Sequence, residues 1–165
     1  MPSIRDINSM TEDAFVAAFG SVFEHSPWIA RRAWPGKPFA DAADLHGKMC
    51  AVFRAASPEE QLGVIIAHPD LGERLAPLTA ESVSEQAAAG LNVLTPDELE
   101  AFNRLNAAYK RKFSFPFIIC ARLNDKDKML SAFSTRLENN RDEELLAALG
   151  QIELIARLRL QSLIP

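Results

Sequence analysis

The apolar run Ile65-Ile66-Ala67 ends on a histidine, His68, and Pro69-Asp70-Leu71-Gly72 follows at once. Proline disfavours helical geometry in the residue before it, so an apolar segment is made to stop on a titratable ring. Two readings are open: a helix terminus that happens to contain a histidine, or an imidazole presented to a cleft for proton transfer. A second cluster lies at Ser82, Glu85 and Gln86, spaced i, i+3 and i+4. On a helix these set a hydroxyl, a carboxylate and an amide in one stripe. The stripe is either an ordinary solvent face or the polar wall of a cleft, and the neighbouring Ala87-Ala88-Ala89-Gly90 would let other backbones approach it closely. Arg122 ends the run Phe115-Pro116-Phe117-Ile118-Ile119-Cys120-Ala121. It reads either as a snorkelling surface residue or as a planar fork for a carboxylate or ureido carbonyl. In Phe23-Glu24-His25-Ser26-Pro27-Trp28, Ser26-Pro27 has the form of a helix cap with proline at the first helical position. Two aromatics beside a Glu-His pair could equally line a pocket.

The elements that must position these groups are helical almost throughout. Thr11 caps a helix through Phe15, Phe19 and Val22, with acidic residues in its first turn. A short helix is expected from Trp28 to Trp34, ended by Pro35-Gly36, and a longer one from Phe39 to Ala56. Ser57-Pro58-Glu59-Glu60 and Thr95-Pro96-Asp97-Glu98 are capping boxes. The first starts a helix that should end near His68. The second opens one carrying Leu99, Phe102, Asn106, Tyr109 and Phe113 at helical spacing. Between them, residues Pro69 to Thr79 read as a loop with an irregular turn and Ala80 to Leu91 as a helix. Phe115 to Arg122 resembles a buried strand but has no second strand to pair with, so an extended core segment is expected. Helices over about Lys126–Leu137 and Asp142–Leu163 close the chain. The expected fold is all-α: a compact single-domain bundle over residues 1–165, with several short helices and one extended core segment.

Composition excludes some function classes. A net charge of −4 argues against a nucleic-acid or anionic-membrane partner, both of which want a basic face. No apolar stretch approaches the ~20 residues of a membrane span. There is no glycine-rich phosphate loop, no nucleophile elbow and no zinc-helix motif. His25, His46 and His68 are not at metal-ligand spacing, and no metal is expected. Cys50 and Cys120 lie far apart in apolar surroundings, which fits buried free thiols in a reducing compartment. The first ten residues lack a signal-peptide core, and cytoplasmic residence is the expectation.

The four clusters together, Phe23 to Trp28, His68 to Gly72, Ser82 to Leu91 and Phe115 to Arg122, resemble the blocks of the 2-oxo-4-hydroxy-4-carboxy-5-ureidoimidazoline (OHCU) decarboxylases, in order and spacing. The resemblance covers nearly the whole chain. It implies an all-α, cofactor-independent carboxy-lyase that forms (S)-allantoin late in urate degradation, and a homodimer. It places the catalytic pair on His68 and Glu85. Ser82, Gln86 and Arg122 fall on substrate-binding positions, and Pro69, Phe23 and Ile119 are expected to line the substrate. The chain ends in Gln161-Ser162-Leu163-Ile164-Pro165, not in a peroxisomal tripeptide, which favours a stand-alone enzyme of bacterial type. Two other classes stay open: a non-catalytic binding module of the same fold, and a metal-dependent hydrolase of a related ureido compound. The C-terminal helix bears Leu145, Leu149, Ile152 and Leu160 along one stripe, with Leu146, Ile155, Leu158 and Leu163 beside it. That is more apolar surface than one packing contact requires, and the excess marks a partner surface.

Overall fold

The computed structural model describes residues 1–72 and 78–165. These residues are helices, short 3-10 turns and connecting segments, with no strand among them. The all-α class is therefore as expected. The chain divides into two compact units, Met1–Ala67 together with Glu153–Pro165, and His68–Ile152.

The first unit begins with α1 (Ile4–Ser9), which the sequence reading did not foresee. Its signal is a capping box in which Ser3 and Asp6 exchange side-chain and backbone bonds. Thr11 caps α2 (Glu12–Phe19) as expected, but Val22 lies beyond the helix end, where Gly20 closes it. Helix α3 (Pro27–Ala33) starts at its proline. Ser26 does not cap it through its side chain; the hydroxyl donates instead to the carbonyl of Glu24 at 2.8 Å. Helix α4 (Ala42–Ala55) starts three residues later than expected, because Asp41 accepts from the Asp44 N–H and fixes the start there. Helix α5 (Pro58–Ala67) opens on the Ser57–Glu60 capping box.

Helix α3 packs on α2 and α4, burying Phe15, Phe19, Ile29, Leu45 and Phe53. Within this apolar interior lies one ion pair, Glu24 to Arg159, at 2.9 Å with both side chains buried. Arg159 also donates to the Ser21 carbonyl at 3.2 Å. Removing one member of such a pair strands the other charge, at a cost of about 3–5 kcal/mol.

The second unit holds α6 (Ala80–Ala88), α7 (Pro96–Phe113), α8 (Lys126–Arg136) and the first half of α9 (Arg141–Leu163). Gly90 ends α6 in the left-handed region, at φ 81°. The Thr95–Glu98 capping box opens α7. The core is aromatic, with Tyr109 ringed by Phe113, Phe115, Phe117 and Phe133 at centroid distances of 4.5 to 6.4 Å.

The extended segment 115–120 is buried and pairs with no strand, as expected. Buried backbone groups need partners wherever a sheet does not supply them. Side chains do so here. The Cys120 N–H donates to Gln151 Oε1 at 2.9 Å, and the Ile118 and Cys120 carbonyls accept from Arg136 at 2.6 Å and Asn124 at 2.9 Å.

Candidate active site

Helix α5 ends at Ala67, one residue before His68, as the proline at 69 requires. His68 is buried, at 8% exposure, and Pro69 is half-buried. The turn that follows is held by side chains from two helices. The Gly72 N–H donates to Gln86 Oε1 at 3.0 Å, and Gln86 Nε2 donates to the Asp70 carbonyl at 3.4 Å. From α7, Asn106 Nδ2 donates to the Leu71 carbonyl at 2.9 Å and Lys110 Nζ lies 2.5 Å from Asp70 Oδ2. Gly72 adopts φ 76°, and a Cβ there would sit 3.2 Å from Leu94 Cδ1. Glycine fits both constraints. Of the loop expected over 69–79, residues 73–77 lie outside the described residues.

Thr79 caps α6 by accepting from the Ser82 N–H at 3.2 Å. Ser82 and Gln86 are buried and Glu85 is half-buried, whereas Val83 and Ser84 are exposed. The polar stripe therefore faces the protein and not solvent. Helix α6 packs on the 3-10 turn Ala121–Leu123, which carries Arg122 at an exposed position. Ile119 is buried in the segment that leads there. Burial pushes the Cys120 thiol up, Glu85 adds to the shift and Arg122 opposes it.

His68, Pro69, Ser82, Glu85, Gln86, Ile119 and Arg122 all belong to the second unit. Phe23 belongs to the first, where its ring is buried 5.4 Å from that of Phe53. The contacts of Asn106 and Lys110 with the 70–72 turn were not anticipated from sequence. The available signal was an amide at position 106 inside the apolar stripe of α7.

A second histidine-bearing constellation, around His46, is a poor catalyst. His46 Nε2 lies 2.9 Å from the Glu153 carbonyl and 3.2 Å from Cys50 Sγ. A carbonyl can only accept, so this nitrogen carries hydrogen and cannot take the thiol proton. Burial, with the Glu153 charge second, pushes Cys50 up to about 12, far from a thiolate at neutral pH. Among the described residues no group of three or more His, Cys, Asp or Glu side chains could hold a metal ion.

By residue type, Arg122, Ser82 and Gln86 offer a guanidinium, a hydroxyl and an amide suited to an anionic or ureido group, and His68 and Glu85 offer an imidazole and a carboxylate suited to proton transfer. Comparison with known proteins bears on what such a substrate is. The family model described as OHCU decarboxylase matches residues 8–161. The chain is 40% identical over 161 residues to the 2-oxo-4-hydroxy-4-carboxy-5-ureidoimidazoline decarboxylase of Halalkalicoccus jeotgali, covering 98% of this chain and 91% of that protein. It is 40% identical over 164 residues to the protein of the same name from Amia calva, covering 98% and 94%. Its fold is similar to the crystal structure of (S)-allantoin synthase, with a TM-score of 0.81 and 29% identity over 99% of this chain and 54% of that one.

Proposed function

Because the chain belongs to the OHCU decarboxylase family, we propose that it decarboxylates 2-oxo-4-hydroxy-4-carboxy-5-ureidoimidazoline to (S)-allantoin in urate degradation. The observation that carries this reading is the inward stripe Ser82, Glu85, Gln86, bonded through Gln86 to the turn after His68.

The substrate bears a carboxylate and a hydroxyl on one ring carbon, and the adjacent ring carbon is an imine. When the bond to the carboxylate breaks and carbon dioxide leaves, the electron pair enters the carbon–carbon bond and the imine nitrogen takes up the charge and a proton. The resulting enol becomes the ring amide carbonyl when its hydroxyl proton leaves and a proton adds to the neighbouring carbon from one face. One proton is consumed per turnover. In this scheme Arg122, Gln86 and Ser82 hold the carboxylate out of the ring plane, which aligns the breaking bond with the imine. His68 bonds the ring hydroxyl, and Glu85 contacts a ring or ureido nitrogen, where charge develops. Pro69 and Ile119 complete the lining within the second unit.

The two units act as one functional domain in this reading, supported by a family match that runs through both. The protein is a homodimer. In α9, Leu146 is 62% exposed and Leu158 and Leu163 are half-buried, although Ile155 is a core residue and leaves the patch. Cytoplasmic residence is supported by two free thiols, Cys50 and Cys120. No helix is long and apolar enough to cross a membrane among the described residues.

Circular dichroism on freshly generated OHCU tests the activity, since the substrate also decays without enzyme. The expected result is a rate above background with accumulation of the S enantiomer. Racemic product at the background rate would remove the proposal.

A further inference from the structure

We propose that Asn106 and Lys110 are positioning residues for the reaction: from one face of α7 they hold the 70–72 turn and thereby fix His68. The inference rests on the reading of His68 given above. Asn106 is 4% exposed and lies among the aromatics of α7. A buried amide is costly unless bonded, and a similarly shaped apolar side chain would avoid that cost. Yet only one end of this amide is used. Nδ2 bonds the Leu71 carbonyl, while Oδ1 has no hydrogen-bond partner among the described residues. The residue is thus a poor choice for packing and a good one for gripping a single loop carbonyl.

One helical turn later, Lys110 grips the Asp70 carboxylate. This pair is half-exposed on the lysine side, where an ion pair adds little stability. Gln86 holds the same turn from α6, through the Gly72 N–H and the Asp70 carbonyl. Both carbonyls at 70 and 71, the N–H at 72 and the carboxylate at 70 are therefore fixed by side chains. Only Pro69 separates this clamp from His68. Its ring locks φ and confines His68 to extended geometry, so little slack remains between the clamp and the imidazole. Gln86 follows Glu85 in sequence, so the clamp also fixes the turn against the helix bearing the carboxylate.

The test compares Asn106→Leu, Lys110→Met, Lys110→Arg and Asp70→Asn with wild type. Small displacements of an aligned group cost up to about 100-fold in rate, so Asn106→Leu should lower kcat about tenfold or more. KM should change less than kcat, because Asn106 is not itself among the proposed substrate-binding residues. Lys110→Met should lower kcat about threefold with an unchanged melting temperature, and Lys110→Arg should restore it. Lys110→Met and Asp70→Asn should not be additive. The ring resonances of His68 in NMR spectra should move in Lys110→Met while those of His25 and His46 stay. A folded Asn106→Leu with wild-type kcat, or failure of Lys110→Arg to rescue, overturns the proposal. Should Asn106→Leu not fold, the Lys110 pair and the His68 resonances decide it. A wild-type protein inactive on OHCU would instead refute the assigned reaction, and the His68 resonances would still test the clamp.

Discussion

His68 is buried at the start of a proline-stiffened turn, so its replacement separates a chemical role from a packing role. Expected for His68→Asn is near-complete loss of turnover with the helical signal and melting temperature close to wild type. A normal rate would sink the assignment. Arg122 is exposed on a 3-10 turn. Arg122→Lys keeps the charge and loses the planar fork, so KM for OHCU should rise markedly. Calorimetry with allantoin provides the direct check, and equal affinity in both proteins would return Arg122 to the surface. Glu85→Gln removes the charge and keeps the shape. If the carboxylate acts as charge develops, kcat should fall much more than KM changes.

At the scale of elements, the site depends on where helices stop. Helix α5 must end before residue 68, and the following turn needs a residue at φ 76° close to Leu94. Gly72→Ala forces a β-carbon into the left-handed region and into Leu94. The expected cost is about 1–2 kcal/mol in urea unfolding. Because Gly72 also donates to Gln86, a loss of kcat beyond the loss of stability should accompany it. Activity measured far below the melting temperature separates the two effects.

Over the whole chain, stability should depend on a buried acid that is not among the proposed site residues. Burial opposes the Glu144 charge, but Arg136, Tyr109 and Asn139 all bond the carboxylate and hold its pKa below the ordinary glutamate range. A carboxyl depressed in the folded state stabilises at neutral pH. That contribution is lost as pH falls through the ordinary range and then through the folded value. Removing the charge strands Arg136, so Glu144→Gln should cost about 3–5 kcal/mol at pH 7. The difference from wild type should shrink in acid, and denaturant titrations from pH 7 to pH 3 would show it. A constant difference would mean the charge is not what matters. The proposed dimer is checked by light scattering at micromolar concentration, where about twice the chain mass is expected. Leu158→Glu and Leu163→Glu, tested separately, then show whether α9 forms the contact.

Local rules account for what the sequence by itself determined. The capping boxes at Ser57 and Thr95, the proline stop after Ala67 and the aromatic stripe of α7 act within a few residues, so spacing alone reveals them. The family was legible for a related reason, since four short blocks keep their order along the chain. Boundaries were less legible. Helix α4 starts at Ala42, capped by Asp41, rather than at Phe39, and Ser26 turns its hydroxyl back to Glu24, because competing bonds decide each case. Whether the Ser82, Glu85, Gln86 stripe faced solvent or protein was undetermined in one dimension, and burial decided it. The clamp on the 70–72 turn was hidden altogether. Its members, Gln86, Asn106 and Lys110, lie 14 to 40 residues from their partners, and only packing brings such distant donors and acceptors within hydrogen-bonding reach.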